Sequence, residues 1–332
     1  MTNRERVKAA LTHNGTDKTP YNIELTSSAM NTFTARYHVK KEDFFAFAGN
    51  HIEKADYNHG AFIRSGFFLD SFGIVWNRCS GDDIGVVEEY RLKNPELKDY
   101  TFPAINVIDI RQRTEKLVQN GNDSFKLAKI GMLLFERAWS LRGMEELLMD
   151  FFINESFIEE LFAGITDYNL AIINEALQYP VDGFYFGDDY GQQNGLIMGA
   201  PLWRKYIKPQ LARTFAPVKS KGLPVFLHSC GNISDILDDL IEIGMDCYQT
   251  VQPEIYDLKN LKARYGRRLA FYGAVSTQQF LPFASPDAVR NKLKETIAIL
   301  DKDGGYICAP THQVPPDVPP ENILAMIETL NS

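Results

Sequence analysis

The chain is poor in cysteine, with four in 332 residues. That is too few for a disulfide framework, so a cysteine with a role is expected to work as a thiolate. A basic excess is also missing: 35 lysines and arginines stand against 43 aspartates and glutamates, a net charge of −8. No basic patch is interleaved with aromatics, and both observations argue against a nucleic-acid groove. Long apolar runs are absent. Stretches such as 131–135 stop at charges, far below the ~20 residues needed to cross a bilayer. The opening Met1-Thr2-Asn3-Arg4-Glu5-Arg6 lacks the apolar centre of a signal peptide. A soluble cytoplasmic protein is the expectation. No Pro-, Gly- or Ser-rich linker divides the chain and no repeat is visible, so 1–332 is expected to be a single domain.

Among what is present, the stretch Val225-Phe226-Leu227-His228-Ser229-Cys230-Gly231-Asn232 stands out. It reads as a short apolar strand, a turn and a helix start. Positions i and i+2 of an extended segment share a side, so His228 and Cys230 can aim at one point. Asn232 is a good N-cap. Ile233, Ile236, Leu237, Leu240 and Ile241 keep helical spacing, and Gly244 closes the helix.

Around this unit the pattern alternates. Pro20 to Leu25 reads as a first strand with Glu24 near its end, 29–59 as largely helical, and Phe62 to Leu69 as a second strand ending at Asp70. Residues 74–90 read as a small β-rich excursion. From Phe125 onward strands and helices follow regularly: strands at 125–130, 182–187, 223–228, 246–251, 269–275 and 306–309, helices between them. Ser285 caps a helix with Pro286 at its first position. About eight strand–helix pairs predict an α/β fold, a (β/α)8 TIM barrel. The competing doubly wound sheet is weakened because no G-x-G-x-x-G follows an early strand.

Barrel sites sit at the C-terminal ends of the strands. Applied here, that rule gathers Glu24, Asp70, Asp188, Asp189, His228, Cys230, Gln249, Gln252, Ser276, Cys308 and His312 on one rim. Asp188 and Asp189 are adjacent and would face opposite ways along a strand; the plainer role for either is a helix cap or a salt bridge. A catalytic zinc takes three protein ligands and keeps a fourth position open. His228 and Cys230 supply two, and the last strand offers Cys308 or His312 as the third. The plainer alternative makes Cys230 and Cys308 small buried hydrophobes and His228 a hydrogen-bonded core histidine.

These residues also carry a resemblance. The segments 226–232, 251–254, 304–312 and 317–323, with Arg4 to Leu11, Asp70 to Trp76 and 187–191, resemble the uroporphyrinogen decarboxylase superfamily over nearly the whole chain. The resemblance implies an (α/β)8 barrel and one of two activities. True uroporphyrinogen decarboxylases need no metal and grip a polycarboxylate with arginines after the first strand. The matching stretch here, Tyr21 to Ser28, has no arginine and carries Glu24, which disfavours that activity. The other branch, the cobamide-dependent methyltransferases, binds zinc through an H-x-C…C pattern. His228 and Cys230 match its first two ligands. At the position of the third, after Ala309-Pro310-Thr311, stands His312; this residue is favoured, with Cys308 as the alternate.

The resemblance thus implies a zinc-dependent methyltransferase, working on a small methylated substrate or thiol with a corrinoid. No D-x-H-x-x-G segment that would bind the corrinoid occurs, so a separate corrinoid protein is the expected partner. Asp188, Asp189 and Glu24 are the candidate proton-handling or orienting carboxylates. Phe67, Phe68, Trp76 and Trp139 are candidates for an apolar lining. The alternatives are a metal-free decarboxylase of a small carboxylic acid and a non-catalytic corrinoid- or tetrapyrrole-binding barrel.

Overall fold

A computed structural model describes residues 1–79 and 85–332. The strands with parallel neighbours follow in chain order: β1 (Ile52–Asp56), β2 (Phe125–Ile130), β3 (Gly183–Gly187), β4 (Val225–His228), β5 (Cys247–Thr250), β6 (Ala270–Val275) and β7 (Tyr306–Pro310). Chain contacts separate two compact units. One comprises Met1–Glu53, Gly121–Phe125 and Asp246–Ser332; the other comprises Lys54–Asn120 and Lys126–Met245. No helix among the described residues is long and apolar enough to cross a membrane.

In the first unit, β5, β6 and β7 pair in parallel, with Gln249 opposite Tyr272 and Tyr272 opposite Ile307. The fold is α/β and TIM-barrel-like in its strand–helix order. The stave expected at Pro20 to Leu25 is reduced to two isolated parallel bridges, Tyr21 with Cys308 and Leu25 with Val314. The reason is local. Pro20 has no N–H to give a ladder, and the Asn50 side chain takes both backbone groups of Ile23. Its Oδ1 accepts the Ile23 N–H at 2.8 Å and its Nδ2 donates to the Ile23 carbonyl at 2.9 Å. At Ile23 a side-chain amide takes the place of ladder bonds, while the Tyr21 carbonyl still accepts the His51 N–H at 3.0 Å.

In the second unit, β2, β3 and β4 pair in parallel, Lys129 opposite Tyr185 and His228 opposite Gly187. β3 is buried along its whole length, as a strand covered on both faces must be. Phe186 stacks on Phe215 of the helix Lys208–Ser220 at 5.4 Å. The β-rich excursion is a four-stranded antiparallel sheet, Gly60–Arg64, Phe67–Asp70, Val75–Asn77 and Val86–Glu89. It therefore starts earlier than residue 74 and includes the segment expected as a second barrel stave; the part of the expected excursion at 80–84 lies outside the described residues. The first parallel strand, β1, is Ile52–Asp56, within the stretch read as helical. Ser285 caps Pro286–Leu300 as expected, its Oγ accepting the Ala288 N–H at 3.3 Å. The helix after β4 starts late. Asn232 Oδ1 accepts the Ser234 N–H at 3.0 Å, a 3-10 turn spans Ser234–Ile236, and the α-helix runs Leu237–Glu242.

One buried histidine sets an acid limit on stability. His51 is 2% exposed, its ring lies 4.6 Å from that of Tyr21, and neither ring nitrogen has a hydrogen-bond partner among the described residues. Burial, then the charges of Arg6 and Lys18, push its pKa down from 6.5 to about 4. The fold thus favours the neutral ring. Its contribution is complete above pH 6.5 and is lost as pH falls from 6.5 towards 4, because the unfolded chain takes up the proton first. The loss between pH 7 and pH 5 is about 2 kcal/mol. Urea unfolding at the two pH values should show His51→Phe less acid-sensitive than the wild type by about that amount; equal sensitivity would mean the ring is not held neutral.

Candidate metal centre

The site grows from two neighbouring strand ends of the second unit. The Asp188 N–H donates to the His228 carbonyl at 3.0 Å, extending the β3–β4 ladder by one bond. Beyond it the two turns interlock. The Ser229 Oγ accepts the Tyr190 N–H at 3.0 Å, Asp189 Oδ1 accepts the Cys230 N–H at 2.8 Å, and the Asn232 N–H donates to the Gln192 carbonyl at 2.9 Å. Only glycine fits where these turns touch. A Cβ on Gly191 would lie 2.6 Å from the Gly231 carbonyl carbon, and one on Gly231 would lie 2.2 Å from that of Gly191. Gly231 also has φ of +80°, where side chains are strained.

This clamp brings three donors together. His228 Nε2 lies 3.6 Å from Cys230 Sγ and 3.4 Å from Asp189 Oδ1, and the ligand atoms of all three are within 4.8 Å of one another. Zinc bonds of about 2.0 Å to nitrogen or oxygen and 2.3 Å to sulfur, at tetrahedral angles, separate donors by about 3.3–3.6 Å. The donor set therefore suits a tetrahedral divalent ion in element, and the two separations from His228 Nε2 match that spacing. The three groups also interact with one another. Burial works against charge on His228, but its bonds to Asp189 and Cys230 raise its pKa well above the usual value. Burial alone would raise Asp189; the imidazolium of His228 brings it below the ordinary carboxylate range. The Cys230 thiol is pushed up by burial, with His228 acting in the opposite sense.

The adjacent aspartates divide their work. Asp189 faces His228, whereas Asp188 is fully buried and holds the start of the helix Phe135–Arg142. Its Oδ2 accepts the N–H groups of Leu134 and Phe135 at 3.1 and 2.8 Å, and its Oδ1 that of Glu136 at 2.8 Å. Burial raises Asp188 to about 7 against the pull of these amides. Glu136 is raised to about 8, by burial first and then by Asp189 and Asp188. The negative charges of Asp189 and Asp188 thus keep Glu136 protonated more readily, while His228 acts in the opposite sense. Sequence reasoning missed Glu136. The one signal that bears on it is its place in the first turn of a helix that follows a strand end.

The candidates Glu24, Cys308 and His312 lie in the first unit. Glu24 Oε1 accepts from Asn22 Nδ2 at 3.0 Å, and the buried Tyr272 phenol is raised by burial and by Glu24. Cys308 is fully buried in β7, paired across from Gly273 and bridged to Tyr21, and burial raises its thiol to about 12. His312 is exposed just beyond β7. Among the described residues, the group of closely set ligand atoms consists of Asp189, His228 and Cys230; Cys308 and His312 are not in it. The aromatic candidates are packed. Trp76 is buried with its Nε1 on Asp70, 6.2 Å from Trp139, while Phe67 and Phe68 lie under the guanidinium groups of Arg64 and Arg78.

Comparison with solved structures shows what fold this is. A methyltransferase from Methanosarcina mazei superposes with a TM-score of 0.77 at 18% identity, covering 100% of this chain and 98% of that one. At that identity the likeness speaks for the fold. A B12-independent methionine synthase from Shewanella sp. W3-18-1 reaches a TM-score of 0.48 at 10% identity, over 95% and 96% of the two chains, too low to carry an argument. No curated protein sequence matches the chain. In sequence, residues 135–332 match uroporphyrinogen decarboxylase (URO-D). That match begins at Phe135, takes in both strand ends of the site and covers more than half of the chain, which therefore belongs to the uroporphyrinogen decarboxylase (URO-D) family.

Proposed function

We propose that this chain is a zinc-dependent methyltransferase that moves a methyl group between a small methylated substrate or thiol and a corrinoid carried by a separate protein. The observation that supports this reading is the oxygen, nitrogen and sulfur of Asp189, His228 and Cys230, set at zinc-like spacing at the strand ends of a URO-D family chain. Asp189 is proposed as a donor beside His228 and Cys230. His312, with Cys308 as the alternate, stays a proposed further donor; zinc content of Asp189→Asn, His312→Ala and Cys308→Ser chains ranks the three.

A divalent ion on these donors supplies Lewis acidity, which lowers the pKa of a bound thiol or polarises a methoxyl oxygen. A mixed donor set with one sulfur leans towards the second use. The chain's own residues do the rest. Asp188, on three backbone amides, fixes the turn that carries Asp189. Asp188 and Glu136, raised to about 7 and about 8, are poised to hold or release a proton near neutral pH. Glu24 remains a proposed catalytic carboxylate of the first unit.

The test is elemental analysis of the purified chain, followed by transfer from methylcobalamin to a thiol monitored by absorbance. The expected result is about one zinc per chain and transfer that stops on chelation. The second reading is a metal-free decarboxylase of a small carboxylic acid, which the crowded carboxyls of Glu136, Asp188 and Asp189 favour. Zinc-free protein that releases carbon dioxide from a small acid would establish it. Spectral binding of a corrinoid without turnover would instead point to a non-catalytic binding barrel.

A further inference from the structure

The helix Phe135–Arg142 is tied at both of its sides. Its first amides rest on Asp188, next to the donor Asp189. One residue further on, Arg137 reaches the antiparallel excursion. Its Nη1 donates to Asp70 Oδ2 at 2.5 Å, with side-chain exposures of 5% and 7%. Its guanidinium stacks over Phe72 at 4.3 Å. Asp70 is saturated around this bond. Its Oδ1 accepts the N–H groups of Phe72 and Ile74, both at 3.0 Å, and its Oδ2 also accepts Trp76 Nε1 at 3.0 Å. Trp76 in turn packs edge-on against Trp139 of the same helix.

A buried ion pair this enclosed is a poor device for stability alone, because desolvation cancels much of its attraction, and a hydrophobic pair would serve as well. What it does provide is a fixed direction. A planar guanidinium sandwiched on a ring and aimed at a carboxylate with four donors admits one register of helix against sheet. The same helix ends in a second buried pair, Arg142 with Asp150 at 2.8 Å, which faces the next helix, Met144–Ile153, and touches nothing at the site.

We propose that Arg137 and Asp70 are positioning residues for the metal centre: the pair locks the excursion to the helix whose first amides hold Asp188, and so sets where Asp189 meets His228 and Cys230. The metal part rests on the methyltransferase reading; the coupling through the helix does not.

The experiment compares Asp70→Asn with Asp150→Asn in the full chain, since each neutralises a buried partner of one helix arginine. Amide exchange without metal, followed at Leu134, Phe135 and Glu136, should quicken about tenfold in Asp70→Asn and stay unchanged in Asp150→Asn. Cobalt(II) affinity should fall about tenfold in the first variant alone, with a shifted d–d spectrum. Should Asp70→Asn not fold, Arg137→Lys, which keeps the charge and gives up the ring stacking, is expected to show the same faster exchange to a smaller degree. Unchanged exchange in the Asp70 and Arg137 variants, or an equal change in Asp150→Asn, overturns the proposal. A wild type that binds no cobalt(II) refutes the metal reading, and exchange still decides the coupling.

Discussion

Replacing Cys230 by serine is expected to lower zinc or cobalt(II) affinity by at least about 100-fold and to abolish methyl transfer, with little change in unfolding midpoint. The thiol is one of three donors within 4.8 Å of one another, and a serine hydroxyl does not ionise at neutral pH to take its place. Stability should be spared because the backbone bond at this position, Cys230 N–H to Asp189, survives the change. Metal titration and calorimetry on the same preparation separate the two effects. A Cys230→Ser chain that retains its metal and its transfer rate would remove this residue from the centre, and with it the strongest support for the methyltransferase reading.

The second large effect is expected at the glycine clamp. Gly231→Ala places a methyl group 2.2 Å from the backbone of Gly191, where nothing flexible can yield, and adds the strain of φ +80°. The turns that carry Asp189 and Cys230 must part. We expect a loss of about 2–4 kcal/mol in stability and a fall in metal affinity of about 10–100-fold, although no donor has been touched. Gly222→Ala isolates the strain. It has a similar φ of +68° but open space around it, so it should cost only about 1 kcal/mol and leave the metal bound. Equal metal loss in both variants would show that conformational strain, not the close approach of the two turns, matters; no loss in either would mean that the turns move freely.

The legible parts of this molecule are those in which short-range pattern and tertiary role coincide. Val225–His228 is an apolar run ended by polar residues and a glycine, and it is a strand. Ser285 and Pro286 carry their helix start in their own chemistry, whatever lies nearby. The pairing of His228 with Cys230 follows from the two-residue spacing, and the structure sets their donor atoms 3.6 Å apart. Ile52–Asp56 was illegible because three of its five residues are charged and its strand character comes from neighbours; only Ile52 and Ala55 are buried. At Pro20 to Leu25 the sequence has a strand's pattern, but Asn50, distant in the chain, occupies the hydrogen bonds of Ile23.

The amino-acid sequence by itself determined the alternating α/β order, the scarcity of cysteine and the imidazole and thiol at one strand end, because each depends on residues close together in the chain. Tertiary structure alone decided which of two adjacent aspartates faces His228 and which caps a helix, and it brought Glu136 beside them. Those choices depend on how β3, β4 and the helix at Phe135 approach one another in space, and a carboxylate's environment, unlike its identity, is not written in its neighbours along the chain.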